Sequence, residues 1–170
     1  MIMYMEFIQT IRNPLLDFLF DIVKNMASVP VFIAILIMLF ILKKRKEAIL
    51  SIVVVLITWF TALFLKLIVK RPRPLGNIFY IPFTKILDYS FPSQHTAISF
   101  ALAYIFSKKF GHSKIFYTLA TIVGISRIYF GVHYISDVVG GALLGLGVAM
   151  ITYKAFLKKK PLGKKTKKPS

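Results

Sequence analysis

His133 and Asp137 stand four residues apart in a chain of 170 that has 3 histidines and 6 acidic residues. At the start of a helix, that spacing puts both side chains on one face and within reach of each other. A carboxylate held against one imidazole nitrogen fixes the tautomer and leaves the other nitrogen unprotonated and able to attack. A second histidine closes the run Phe91-Pro92-Ser93-Gln94-His95. Proline is favoured in the first turn of a helix, where free amides and the helix dipole attract anions, so Ser93 and His95 are expected at an anion-binding end. The run Lys66-Leu-Ile-Val-Lys-Arg-Pro-Arg-Pro74 adds cations. Each X-Pro bond biases the preceding residue away from helix, which places Arg71 and Arg73 on extended backbone. Guanidinium groups grip phosphate as a bidentate fork, whereas lysine acts as a point charge. Lys70 and Arg71 are expected only to anchor the chain at an interface by snorkelling.

Fixed cations and helix-end amides together suit phosphoryl transfer, whose charge spreads over three oxygens. With Lys66, Arg73 and Arg127 available, that chemistry requires no metal. The carboxylates near these segments, Asp137 and Asp88, do not form an acidic metal cluster. The absence of cysteine excludes a disulfide scaffold and a Cys-based zinc or redox centre.

The elements that must position these residues follow from composition. The chain is 57% hydrophobic and 17% charged, with a mean hydropathy of +0.72. A soluble domain is about 45–50% apolar with about a quarter charged, so this chain belongs in a membrane. Charge-free stretches cover Met26–Leu42, Ala48–Leu65, Phe91–Ser107 and Val138–Tyr153, and Phe110–Ser126 contains only Lys114. Each is near the length that crosses a bilayer as a helix.

The first 25 residues alternate charge with apolar and aromatic residues. Leu15, Phe18, Leu19, Ile22 and Val23 recur at helical spacing after Asn13-Pro14, which predicts an amphipathic segment lying in the interface. It lacks the basic start and small-residue cleavage site of a removable signal peptide. The expected fold is therefore all-α: a polytopic transmembrane helical bundle of about five spans, residues 26–157, preceded by the interfacial segment 1–25. Residues 158–170 are expected to form a disordered basic tail.

The net charge of +17 would suggest nucleic acid in a soluble protein, but its distribution is that of a membrane topology signal. In a five-span arrangement 15 of the 23 Lys and Arg share one side with the single acid Glu47, and 8 basic and 5 acidic residues take the other. The positive-inside rule places the lysine tail in the cytoplasm and the chemistry-bearing loops outside, with anionic lipid as an added partner of the lysines. No nucleic acid and no obligate protein partner is expected. Among the remaining features, Gly140, Gly141, Gly145 and Gly147 predict close helix packing. His112 is expected to be solvated and Trp59 packed. Tyr129, Phe130 and Tyr134 beside His133 are candidates to line a lipid entrance.

Three segments in order, Lys66-x6-Arg73-Pro74, Pro92-Ser93-Gln94-His95 and Ser126-Arg127-x5-His133-x3-Asp137, resemble the three motifs of the type 2 phosphatidic acid phosphatases. The resemblance covers Lys66 to about Gly141 and extends in style to the N-terminal segment and first span of the short bacterial members. It implies a lipid phosphatase of the bacterial cytoplasmic membrane that works without a cofactor. His133 would take the phosphoryl group, Asp137 would orient it, and His95 would protonate the leaving oxygen. Lys66, Arg73, Ser93 and Arg127 would bind the phosphate, with a backbone amide at position 94. Gln94 departs from the family's usual glycine and narrows the pocket. Lipid A 1-phosphate, undecaprenyl diphosphate and phosphatidylglycerol phosphate are the implied substrates. Transfer of the phosphoryl group to another lipid would use the same residues. A small lipid transporter or scramblase would instead string ionisable residues across the membrane, whereas here they gather at one face.

Overall fold

In a computed structural model, residues 10, 12–26, 29–74 and 89–158 are described. They form six helices and no strand: α1 (Pro14–Met26), α2 (Val29–Ile41), α3 (Arg45–Val69), α4 (Gln94–Phe110), α5 (Ser113–Tyr129) and α6 (Ile135–Lys158). The tail 159–170, most of the Leu75–Ser90 connection and the first nine residues of the N-terminal segment lie outside the described residues.

Helix boundaries depart from the charge-free stretches for physical reasons. α3 begins at Arg45 and continues past Lys66 to Val69, because Lys and Arg are good helix formers and a charge does not end a helix. It stops at Lys70, which takes a left-handed conformation with φ 48° ahead of the proline-rich run. α4 starts later than expected, at Gln94 with Ser93 as N-cap, so Pro92 precedes the helix and is not part of its first turn. α6 begins at Ile135, which leaves His133 in the preceding turn and only Asp137 on the helix.

α4 packs against α3, α5 and α6. Its small residues Ala97 and Ala101 are fully buried and admit neighbouring backbones closely. A Cβ added at Gly145 of α6 would lie 2.0 Å from the carbonyl oxygen of Ala97, and one at Gly141 would lie 2.5 Å from that of Ser93. The two helices therefore meet backbone to backbone. Gly140 faces the Phe91 ring in the same way, but Gly147 faces open space, so the packing expected of it is absent. Toward the opposite end Leu50, Val54, Ala101, Ile105 and Ala149 form an apolar core flanked by Tyr104 and Tyr153.

The outer surface is apolar. Phe60 and Phe64 of α3 and Leu143 and Ile151 of α6 are among many exposed large side chains, a pattern that water does not tolerate at this extent. Among the described residues two helices, α3 and α6 over Ile135–Leu157, are long and apolar enough to cross a membrane, and α2 contributes a shorter apolar stretch, Pro30–Ile41. Lys109 at the end of α4 pairs with Glu47 at the start of α3 at 2.7 Å, so the lysine-bearing helix ends lie together. On α1, Asn13 Oδ1 accepts the amide of Leu16 and caps the helix. Tyr129 of α5 donates its hydroxyl to Asp17 at 2.8 Å and docks α1 onto the bundle.

Candidate active site

The four helix ends opposite the lysines carry the chemistry. Lys66 occupies the last turn of α3, is 2% exposed, and donates from Nζ to the carbonyl of Tyr89. The chain then leaves the helix through Arg71-Pro72-Arg73-Pro74. Arg73 Nη1 donates to the carbonyl of Val132 at 3.1 Å and lies 3.5 Å from His133 Nε2. An N–H facing Nε2 suits the tautomer whose proton is on Nδ1.

α4 brings its N-terminus to the same place. The Ser93 amide donates to the carbonyl of Asp137 at 3.0 Å, tying the start of α4 to the start of α6. The Ser93 hydroxyl is buried and shares a 2.9 Å hydrogen bond with Thr96. The first amides of a helix have no partner within it, which leaves those of Gln94 and His95 available to an anion. The Gln94 side chain places its buried Nε2 there without a hydrogen-bond partner. His95 feels the charges of Arg127, His133, Arg73 and Lys66, which places it in their midst.

Arg127, in the last turn of α5, is 6% exposed, and its buried Nε and Nη2 have no hydrogen-bond partner. Unsatisfied donors on a buried cation are expensive, and an anion relieves that penalty. From Arg127 the chain folds back, with the Val132 amide donating to the Arg127 carbonyl at 3.2 Å, and this turn delivers His133. His133 is 3% exposed and Asp137 fully buried. Burial pushes the His133 imidazole down to about 4; the Asp137 contact opposes that shift, and Arg73 and Lys66 reinforce it. His133 Nδ1 lies 3.6 Å from Asp137 Oδ2, just beyond hydrogen-bond length.

All eight residues singled out in the sequence thus converge at one end: Lys66, Arg73, Ser93, Gln94, His95, Arg127, His133 and Asp137. The interfacial anchoring expected of Arg71 gives way in the structure to contacts inside the site. Arg71 Nη1 donates to Asp137 Oδ1 at 2.8 Å and to Ser136 Oγ at 2.6 Å. The alternation Arg-Pro-Arg-Pro held the signal, since residues two apart on extended backbone share a face and Arg73 was already placed. Lys70, in contrast, is exposed as expected. Among the described residues no group of three or more His, Cys, Asp or Glu side chains is placed to hold a metal.

A family model described as the PAP2 superfamily matches residues 46–161. The chain is 32% identical to a lipid A 4'-phosphatase from Porphyromonas gingivalis over 162 residues, 86% of this chain and 69% of that protein. Its fold is similar to the crystal structure of Aquifex aeolicus LpxE, with a TM-score of 0.72 and 31% identity over 87% of this chain and 91% of that one. It is equally similar, at a TM-score of 0.72, to a transmembrane PAP2-type phosphatidylglycerolphosphate phosphatase from Bacillus subtilis. That match has 25% identity and covers 94% of this chain and 86% of the other.

Proposed function

The chain belongs to the PAP2 superfamily and is a membrane lipid phosphatase, and from that premise we propose that it removes a terminal phosphate from a lipid headgroup through a phosphohistidine formed on His133. PAP2 phosphatases act without a metal cofactor. The observation that carries the proposal is the buried Arg127 guanidinium, with two unpartnered donors, in a site that also holds two imidazoles and the cations Lys66 and Arg73.

In this mechanism Lys66, Arg73, Arg127, Ser93 and the first amides of α4 hold the phosphate. Fixed positive charge then meets the oxygens where negative charge develops. The unprotonated nitrogen of His133 attacks phosphorus while the bond to the lipid oxygen breaks, and His95 gives that oxygen a proton. Water then attacks the phosphohistidine. His95 takes a proton from it, inorganic phosphate leaves, and His133 is neutral again. Asp137 steadies the imidazole while it carries positive charge.

The substrate class is a phosphomonoester or diphosphate on a membrane lipid: lipid A phosphate, undecaprenyl diphosphate or phosphatidylglycerol phosphate. The relatives named for lipid A and phosphatidylglycerol phosphate support this class, since both lipids present a terminal phosphate at the bilayer surface. We place α2–α6 across the bacterial cytoplasmic membrane. α4 and α5, 17 residues each, are about 25 Å long at 1.5 Å per residue and approach the hydrocarbon thickness. The lysine-rich ends and tail face the cytoplasm, the site faces the periplasm, and α1 lies in the outer interface with Leu15, Phe18, Leu19 and Ile22 exposed to lipid.

The test is phosphate release from a panel of purified lipids in the presence of chelator. Intact protein should release phosphate and form an acid-labile phosphoenzyme, and His133→Ala should do neither. His95→Ala should still be phosphorylated slowly by a substrate whose leaving group needs no proton. Undiminished phosphoenzyme in the His133→Ala protein would refute the assignment.

A further inference from the structure

Arg71 is held from both ends. Its carbonyl accepts the Ser90 amide at 2.8 Å and the Ser90 hydroxyl at 3.2 Å, which fixes the backbone after α3. Its guanidinium carbon lies 3.9 Å from the centre of the Tyr134 ring, a cation–π stack. From that seat Nη1 reaches both Ser136 Oγ and Asp137 Oδ1. The other carboxylate oxygen, Oδ2, accepts the Tyr134 amide at 2.9 Å and is the oxygen that faces His133 Nδ1.

A carboxylate turns about its Cβ–Cγ bond over a broad range unless its oxygens are pinned. Asp137 has one oxygen on Arg71 and the other on the Tyr134 amide, so its plane is set, and with it the direction of Oδ2 toward the imidazole. We propose that Arg71 is a positioning residue for phosphoryl transfer, fixing through Asp137 the orientation of His133, and that it does this by bridging Ser136 and Asp137 while stacked on Tyr134. This rests on the His133–Asp137 reading above. Lysine cannot replace the arrangement, because an ammonium neither stacks as a plane nor keeps a rigid fork.

Arg71 also sets charge. Its positive group offsets part of the Asp137 charge and so weakens the pull of Asp137 on an imidazolium at position 133. Among the described residues, the other charged or titratable groups that act on His133 are Lys66 and Arg73 from α3 and its exit and His95 from α4, with Arg127 of α5 acting on His95. None of these changes when Arg71 is replaced. Removing Arg71 therefore leaves Asp137 uncompensated, makes His133 easier to protonate, and moves the acid limb of kcat/KM to higher pH.

The experiment uses the full chain in lipid–detergent micelles with a short-chain lipid phosphate, and inorganic phosphate as competing ligand. Arg71→Gln should lower kcat by about 100-fold, the scale of a misaligned reacting group. KM and inhibition by phosphate should stay within about twofold, well under a kcal/mol of binding, and the acid limb should rise. Arg71→Lys should lose kcat but keep the acid limb near that of the parent. Adding Arg71→Gln to Asp137→Asn should cost little more than Asp137→Asn alone, since both act through one carboxylate. Weaker phosphate inhibition with unchanged kcat and pH profile would overturn the proposal in favour of direct phosphate contact, and fully additive losses in the double variant would overturn it as well. If Arg71→Gln does not fold, Arg71→Lys with Ser136→Ala decides, because parental kcat in both would overturn the bridge. Activity surviving in His133→Ala would instead defeat the underlying reading, whatever Arg71 does.

Discussion

His133 Nδ1 and Asp137 Oδ2 face each other at 3.6 Å, with His133 in a turn and Asp137 in the first turn of α6. A small movement closes that gap to a hydrogen bond, and in the proposed mechanism the charge that develops on the imidazole provides the attraction that would close it.

Asp137→Asn keeps the size of the side chain but removes the charge and favours the wrong imidazole tautomer. Turnover should fall by about 10⁴-fold, by analogy with the same change in a catalytic triad. Lipid affinity should change much less, because the proposed mechanism rests phosphate binding on Lys66, Arg73, Ser93 and Arg127. Steady-state kinetics beside equilibrium lipid binding separates the two, and near-parental turnover in a folded Asp137→Asn protein would remove the pair from the mechanism.

Burial holds His133 at about 4, below the ordinary histidine value of about 6.5, so it stays neutral, as the proposed nucleophile must be, well into the acidic range. The acid limb of kcat/KM should lie below 6.5. Stability runs the same way. As pH falls from about 6.5 toward 4, the unfolded chain takes up a proton that the folded chain does not, and the fold weakens. Thermal unfolding across this range should be less steeply pH-dependent in His133→Gln than in the parent, and equal slopes would contradict the depressed value.

Alanine at Gly145 would drive a methyl to 2.0 Å from the Ala97 carbonyl oxygen, whereas alanine at Gly147 meets nothing within 4 Å. Gly145→Ala should destabilise by about 1–3 kcal/mol or more through overpacking. Gly147→Ala should stabilise by about 0.5–1 kcal/mol through helix propensity. Denaturation midpoints of the two variants in one detergent should move in opposite directions.

The chain contains no native cysteine, so single cysteines report topology directly. His112→Cys, at the exposed lysine-rich turn, should be protected from a membrane-impermeant thiol reagent in intact cells. Ile135→Cys, exposed beside the site, should react. The reverse pattern would invert the orientation.

Much of this candidate site was legible because each of its residues lies within a few positions of the end of an apolar run, and helix length alone brings alternate ends together. Helix boundaries were less legible. Lys66 and Arg45 are charged yet helical, and Pro92 delays α4, effects that counting charges does not capture. The spacing of His133 and Asp137 suggested a shared helical face, whereas they meet across a turn closed by the Tyr134 amide on Asp137. Arg71 was missed because snorkelling explains an arginine after a membrane helix equally well, and only the fold supplies Ser136, Asp137 and Tyr134 as its partners.

Where Gly141 and Gly145 meet Ser93 and Ala97, no side chain stands between the helix carrying His95 and the helix carrying Asp137. A joint of this kind has no adjustable part, so the spacing of the reacting groups is inherited from backbone geometry. Altering that spacing would take a shift of one whole helix against the other, which an exchange of side chains at this joint does not deliver in small steps.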